Sequence, residues 1–293
     1  MTAKTYRGRF APSPTGPLHF GSLVTALASY LEAKTRHGQW LVRIENLDPL
    51  RESAAAIEQI LRSLQAHGLI ADETIRFQSD RHRAYFQAIE NLQLSGRAYY
   101  CGCSRKVLKA HGGRHPDHCR QQTSGPADAT SRALRFALDN VYARWHDEFL
   151  GPQQQVVQAE IDDPVILRKE GFFAYQLAVV VDDIDQGITN VVRGSDLLAM
   201  TAQQLQIFQA LKADPPHWLH IPVILNSDGQ KLSKQNRALA LDDQHPGRNL
   251  WQALQVLGQR PSQELRQARP ETILGWACEH WHRELIPRHS VAL

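Results

Sequence analysis

The chain has 293 residues, 42% hydrophobic and 22% charged, with a net charge of +3. This is a globular composition, sufficient for a core without disulfide or metal staples, and it excludes a wholly disordered chain. No apolar run approaches the roughly 18 residues of a transmembrane helix. Residues 1–9 are polar and basic, unlike a signal peptide, and four cysteines are too few for a disulfide scaffold, so a cytoplasmic protein is expected.

Residues 6–11 predict a strand, after which Pro12, Pro14, Gly16 and Pro17 break regular structure. Residues 21–34 carry Leu23, Leu27, Tyr30 and Leu31 at helical spacing, and 39–45 predict a second strand. This strand–loop–helix–strand unit opens a parallel α/β sheet. Amphipathic helices are expected over 53–67 and 81–94. Residues 99–155 hold Cys101, Cys103 and Cys119, many His and Arg residues and a polar tract, and read as an insertion between two halves of the main domain. Next come a buried apolar segment (172–181), a strand (188–193), a helix (197–211), a short strand (221–225) and a polar loop (226–236). Residues 237–293 read as mainly helical.

Residues 9–22 run Arg-Phe-Ala-Pro-Ser-Pro-Thr-Gly-Pro-Leu-His-Phe-Gly-Ser between the first strand and the first helix. Open α/β sheets place ligands at such corners, because the unpaired N–H groups of a helix N-terminus favour phosphate. Gly21 lets a flat ring or a phosphate approach the backbone, and His19 can donate to a phosphate whose charge grows during transfer. Glu45, at the end of the second strand, suits an ammonium group. Arg193, followed by Gly194 at another strand end, offers a planar fork to a carboxylate. In Gly-Gln-Lys-Leu-Ser-Lys-Gln (229–235), Lys231 and Lys234 lie on one loop and can follow the phosphates into the transition state. Cys101, Cys103 and Cys119 look like a zinc site, with His111, His115 and His118 as candidates for the fourth ligand.

The 9–22 string resembles the HIGH signature of class I aminoacyl-tRNA synthetases in the form used by glutamyl-tRNA synthetases, and 229–235 resembles their second signature, KMSKS. Val-Arg-Ile-Glu-Asn-Leu-Asp-Pro (42–49) resembles the LRIED-x-D stretch of glutamate-type synthetases, with Asn46 where a second acid usually stands. The resemblance spans about residues 6–240, with the motifs in family order. It implies an α/β fold: a Rossmann-type class I synthetase catalytic domain (1–98 and 156–236, the second half bearing the KMSKS-like loop), a zinc-binding insertion (99–155) and a short helical C-terminal region (237–293). It implies ATP at His19, Gly21, Ser22, Lys231 and Lys234, with His19, Lys231 and Lys234 catalytic. Glutamate is implied at Arg9, Ala11, Ser13, Glu45, Tyr175 and Arg193, while Asp182 and Asp183 are expected to shape the sheet edge. Short glutamyl-synthetase paralogues carry Cys-x-Cys, then Tyr and Cys, in this insertion. His115 stands at the Tyr position, which favours Cys101, Cys103, His115 and Cys119 around one structural Zn²⁺.

Full-length glutamyl-tRNA synthetases continue beyond KMSKS into a helical anticodon-binding domain, whereas this chain stops at residue 293. Together with the strings at 172–183 and 231–236, this makes the resemblance one to the glutamyl-Q tRNA(Asp) synthetase family. The implied chemistry is tRNA-independent activation of L-glutamate by ATP, with Mg²⁺, to glutamyl-adenylate. The glutamyl group then passes to queuosine at the wobble position of tRNA(Asp). A monomer that takes the anticodon arm is implied, and a truncated glutamyl-tRNA synthetase charging tRNA(Glu) is the alternative. Arg105, Lys106, Lys109, Arg114 and Arg120 of the insertion are candidate RNA contacts.

Overall fold

The computed structural model describes residues 5–112, 119–120, 132–139, 142–157, 161–226, 229–230, 232 and 239–292. The elements run β1 (Arg7–Phe10), α1 (Phe20–Lys34), β2 (Gln39–Ile44), α2 (Ala54–Ala66), β3 (Arg76–Phe77), α3 (His82–Leu94), β4 (Ala98–Cys101) and α4 (Arg105–Ala110). They continue with β5 (Ala133–Phe136), β6 (Tyr142–Asp147), β7 (Gly151–Val156), β8 (Val165–Leu167), α5 (Tyr175–Asp185), β9 (Asn190–Gly194), α6 (Thr201–Ala210), β10 (His217–Ile221) and β11 (Ile224–Leu225). The last are α7 (Pro246–Val256), α8 (Pro270–Glu279) and β12 (Val291–Ala292).

A seven-stranded sheet in the order β3-β2-β1-β9-β10-β6-β7 organises the molecule. Its pairings are parallel except for the β6–β7 hairpin. Side chains of a strand alternate between faces, and both faces are apolar. Phe10, Trp40, Val42 and Ile44 pack with α1, α7 and α8 on one side. Leu41 and Val191 pack with α3, α5 and α6 on the other. Helices on both faces of a parallel sheet make the doubly wound arrangement. Helix starts follow local chemistry: the Ser53 side chain accepts the Ala56 N–H at the start of α2, and Pro occupies the first turn of α7 and α8. The C-terminal segment is tied to α1 through Glu32, which is fully buried and accepts Trp281 Nε1 at 2.8 Å and Arg283 Nε at 3.0 Å.

The structure departs from the expected elements in three places. Residues 99–155 read as one insertion, yet β6 joins β10 on the large sheet (Trp218↔Asp147) and β7 extends it. The small sheet β4-β5-β8 instead recruits residues beyond 155. The Gln-rich strand β7 closes the edge of the sheet and so lacks the apolar run that marks a buried strand. Strand β10 begins at His217, ahead of the expected 221–225 strand, which in the structure holds only the last residue of β10 and the short β11. Asp182 and Asp183 lie buried on α5 and do not shape a sheet edge.

Candidate active site

Five adjacent strands bring a row of polar side chains to the C-terminal half of the sheet. Arg43 and Glu45 come from β2 and its exit, Arg9 from β1, Arg193 from β9, His220 from β10 and Asp147 from β6. All six are buried, where an unpaired polar group is costly, so each is held by others in the row or by helices over it.

Asp183 is the hub on one side. Arg9 donates from Nε and Nη2 to its two oxygens at 3.1 and 3.2 Å, and Arg43 Nη1 reaches it at 2.8 Å. Burial alone would raise its pKa, but the two guanidinium groups outweigh it and hold the carboxyl below its ordinary range. Glu45 shows the opposite balance. Among the described residues its side chain accepts from Arg43 Nη2 at 3.3 Å, and burial pushes its pKa up to about 6 against the pull of Arg43 and Arg9.

A cavity of about 450 Å³ opens between the β1–α1 loop and the end of β9. Its wall brings together Arg9, Ala11, Ser13, Tyr175 and Arg193, with His19, Gly21 and Ser22 at the start of α1. Glu45 is not on this wall; it stands behind, beside Arg43. His19 caps α1, its Nδ1 accepting the Ser22 N–H at 3.2 Å. A neutral ring so used carries its proton on Nε2, a donor suited to a phosphate oxygen. A Cβ on Gly21 would stand 3.3 Å from two ring atoms of His19, so glycine leaves the imidazole its room.

Lys231 and Lys234 lie outside the described residues. The residues flanking them converge on the same corner. Leu232 lines the cavity and bonds the Ile224 carbonyl at 2.8 Å, while Ala240 bridges His19 and Leu241 N–H bonds the Leu18 carbonyl at 2.8 Å.

Arg193 is 3% exposed, and among the described residues no carboxylate pairs with it. It donates instead to neutral acceptors: His220 Nε2 at 2.9 Å, Gln204 Oε1 at 2.7 Å and Thr201 Oγ1 at 2.9 Å. Burial lowers its pKa, partly opposed by Tyr175. A buried, rigidly held guanidinium whose described partners are neutral acceptors is suited to an incoming carboxylate. Local strings gave no role to Arg43, His220 and Asp147, and gave Asp183 a place at the sheet edge instead of its place as hub.

Near the small sheet, the sulfur atoms of Cys101, Cys103 and Cys119 lie within 4.8 Å of one another, a separation that fits thiolates sharing one tetrahedral metal ion. Burial and the neighbouring thiols push Cys103 up to about 12, so a cation is the natural means of deprotonating the group. His115 and His118 lie outside the described residues, and the exposed His111 turns its Nδ1 to the Val107 carbonyl at 3.0 Å. Arg120 pairs with Asp163, which also accepts the Tyr99 hydroxyl at 2.6 Å, and so clamps the insertion. Lys106 and Lys109 are exposed on α4, whereas Arg114 and the Arg105 side chain lie outside the described set.

Among the described residues, no helix is long and apolar enough to cross a membrane. The family described as tRNA synthetases class I (E and Q), catalytic domain, matches residues 5–261. A Vibrio vulnificus protein named glutamyl-Q tRNA(Asp) synthetase is 43% identical over 98% of this chain and 93% of its own length. A protein of the same name from Thiobacillus denitrificans is 47% identical over 97% of this chain and 96% of its own. The crystal structure of a glutamate tRNA ligase from Elizabethkingia meningosepticum, in complex with its amino acid, superposes with a TM-score of 0.81 at 23% identity. It covers 99% of this chain and 67% of that one, a likeness of fold. The chain belongs to the class I tRNA synthetases of the E and Q type.

Proposed function

We propose that this protein activates L-glutamate with ATP and passes the glutamyl group to queuosine in the anticodon of tRNA(Asp). The observation that carries the reading is identity of 43–47% along almost the whole chain to proteins named for that activity. The cavity supports it, joining two buried guanidinium groups and a phenol to a histidine-capped helix N-terminus.

In this reading Arg9, Tyr175 and Arg193 hold glutamate by its carboxylates. Glu45, ionised above a pH of about 6, supplies the negative field for the ammonium group. An oxygen of the α-carboxylate attacks the α-phosphorus in line, and the bond to the leaving pyrophosphate breaks. The protein supplies position and charge rather than acid–base chemistry. His19 donates Nε2–H to the phosphate, Gly21 and Ser22 bring the helix N-terminus to it, and Lys231 and Lys234 follow the departing charge. Mg²⁺, when bound to the ATP phosphates, offsets further charge. The anticodon loop presents queuosine as an unstacked base, the form in which RNA bases are most readily read. The same reading carries a cytoplasmic monomer.

The test incubates the protein with labelled glutamate, ATP and either tRNA(Asp) from cells with or without queuosine or tRNA(Glu). Label is expected only on the queuosine-containing tRNA. Label on the 3′ end of tRNA(Glu) would establish the truncated charging enzyme instead.

For the insertion we propose one structural Zn²⁺ on Cys101, Cys103, His115 and Cys119, supported by the sulfur cluster. Purified protein is expected to hold about one zinc per chain, as a closed four-ligand site does, and Cys101→Ser to lose it. Unchanged zinc content in that variant rejects Cys101 as a ligand.

A further inference from the structure

Arg193 is oriented by partners that reach it across the sheet. Its Nε donates to His220 Nε2, its register partner on β10, at 2.9 Å. His220 Nδ1 lies 2.5 Å from Asp147 Oδ2 on β6. The other Asp147 oxygen accepts the N–H groups of Leu150 at 2.9 Å, Phe149 at 3.1 Å and His220 at 3.3 Å. The three residues span three neighbouring strands, and the side chains of Asp147 and His220 are wholly buried.

A guanidinium only donates, so the nitrogen facing it must carry a lone pair. A neutral imidazole has one proton, which here must sit on Nδ1, where Asp147 accepts it. We propose that Asp147 and His220 are positioning residues for the amino acid site: Asp147 fixes the His220 tautomer, and the Nε2 lone pair of His220 aims Arg193 at the substrate carboxylate. This rests on the glutamate reading of the cavity. Burial lowers the His220 pKa against the pull of Asp147, in keeping with a neutral ring. The charged groups facing that ring are Asp147, Arg193 and Asp196. Thr201 Oγ1, 3.4 Å from the same Nε2, accepts from Arg193 and steadies the geometry.

Asp147→Asn is the discriminating variant. Its amide keeps an oxygen for the three backbone N–H groups but turns an NH₂ toward Nδ1. The ring proton then moves to Nε2 and confronts the guanidinium. In glutamate-dependent ATP–pyrophosphate exchange, this variant is expected to raise the KM for glutamate at least about tenfold, the size of a hydrogen bond to a charged group. The KM for ATP is expected to stay within about twofold, because the His19 corner is untouched. His220→Gln, whose amide can both donate and accept, is expected to retain a lower glutamate KM than His220→Leu. A glutamate KM unchanged in Asp147→Asn, a parallel rise in the KM for ATP, or equal defects in the two His220 variants would overturn the relay. If Asp147→Asn does not fold, the His220 pair decides. Wild-type protein lacking any glutamate-dependent exchange would instead overturn the substrate reading on which the relay stands.

Discussion

Arg193→Lys is expected to raise the glutamate KM for pyrophosphate exchange about 10- to 100-fold, equivalent to about 1.5–3 kcal/mol for hydrogen bonds to a charged group. Lysine keeps the charge but not the fork. The native guanidinium is held by His220, Gln204 and Thr201 at 2.7–2.9 Å. An ammonium on a flexible stem cannot satisfy all three and still offer paired donors to a carboxylate. The variant also leaves His220 Nε2 and Gln204 Oε1 short of a donor in a dry environment, which adds to the loss. Steady-state exchange with varied glutamate measures the effect, and a KM within about twofold of wild type would show that Arg193 does not hold the substrate.

The larger effect on stability is expected at Asp183. Removing the carboxylate in Asp183→Ala strands Arg9 and Arg43, both buried, without their shared counter-ion. Breaking a buried pair in this way costs about 3–5 kcal/mol, which for a domain of this size lowers the melting temperature by roughly 5–15 °C. The sign of the pH effect follows from the direction of the shift. Asp183 is held below its ordinary carboxylate range, so its contribution is complete above a pH of about 4 and is lost only as the pH falls through the lower, folded-state value. Thermal denaturation followed by circular dichroism is the check. A melting temperature within about 2 °C of wild type would remove Asp183 from its place as hub.

Much of the cavity was legible in the sequence because its chemistry is written in local strings. His19 and Gly21 are two positions apart on one helix start, and Arg193 precedes a glycine at a strand end. The partners that hold these residues were not legible, because each arrives from a distant strand or helix. Asp183 meets Arg9 across 174 positions, and Asp147 meets His220 across 73. Asp183 ends the string at 172–183, which by itself does not show that it meets Arg9, and the Trp-His-Asp that ends β6 looks like polar loop sequence until β10 is laid beside it. The helices over 53–67 and 81–94 appear as α2 and α3, since amphipathic periodicity is a local signal. The strand pair β6–β7 was lost inside the insertion because a solvated edge carries little apolar contrast.

The sheet order also fixes a schedule for synthesis. Strand β1 is internal, flanked by β2, which follows it closely, and by β9, which is made much later. At about 5–20 residues per second, Arg9 leaves the ribosome roughly 10–40 s before His220 completes the row. For most of that interval, until Asp183 and β9 are made, the β1 edge destined for β9 has no strand beside it, and Arg9 has no Asp183. Such non-local pairing folds slowly and exposes unpaired edges to other chains. The nascent chain is therefore expected to be most open to chaperones, and most prone to aggregate, until β9 has emerged.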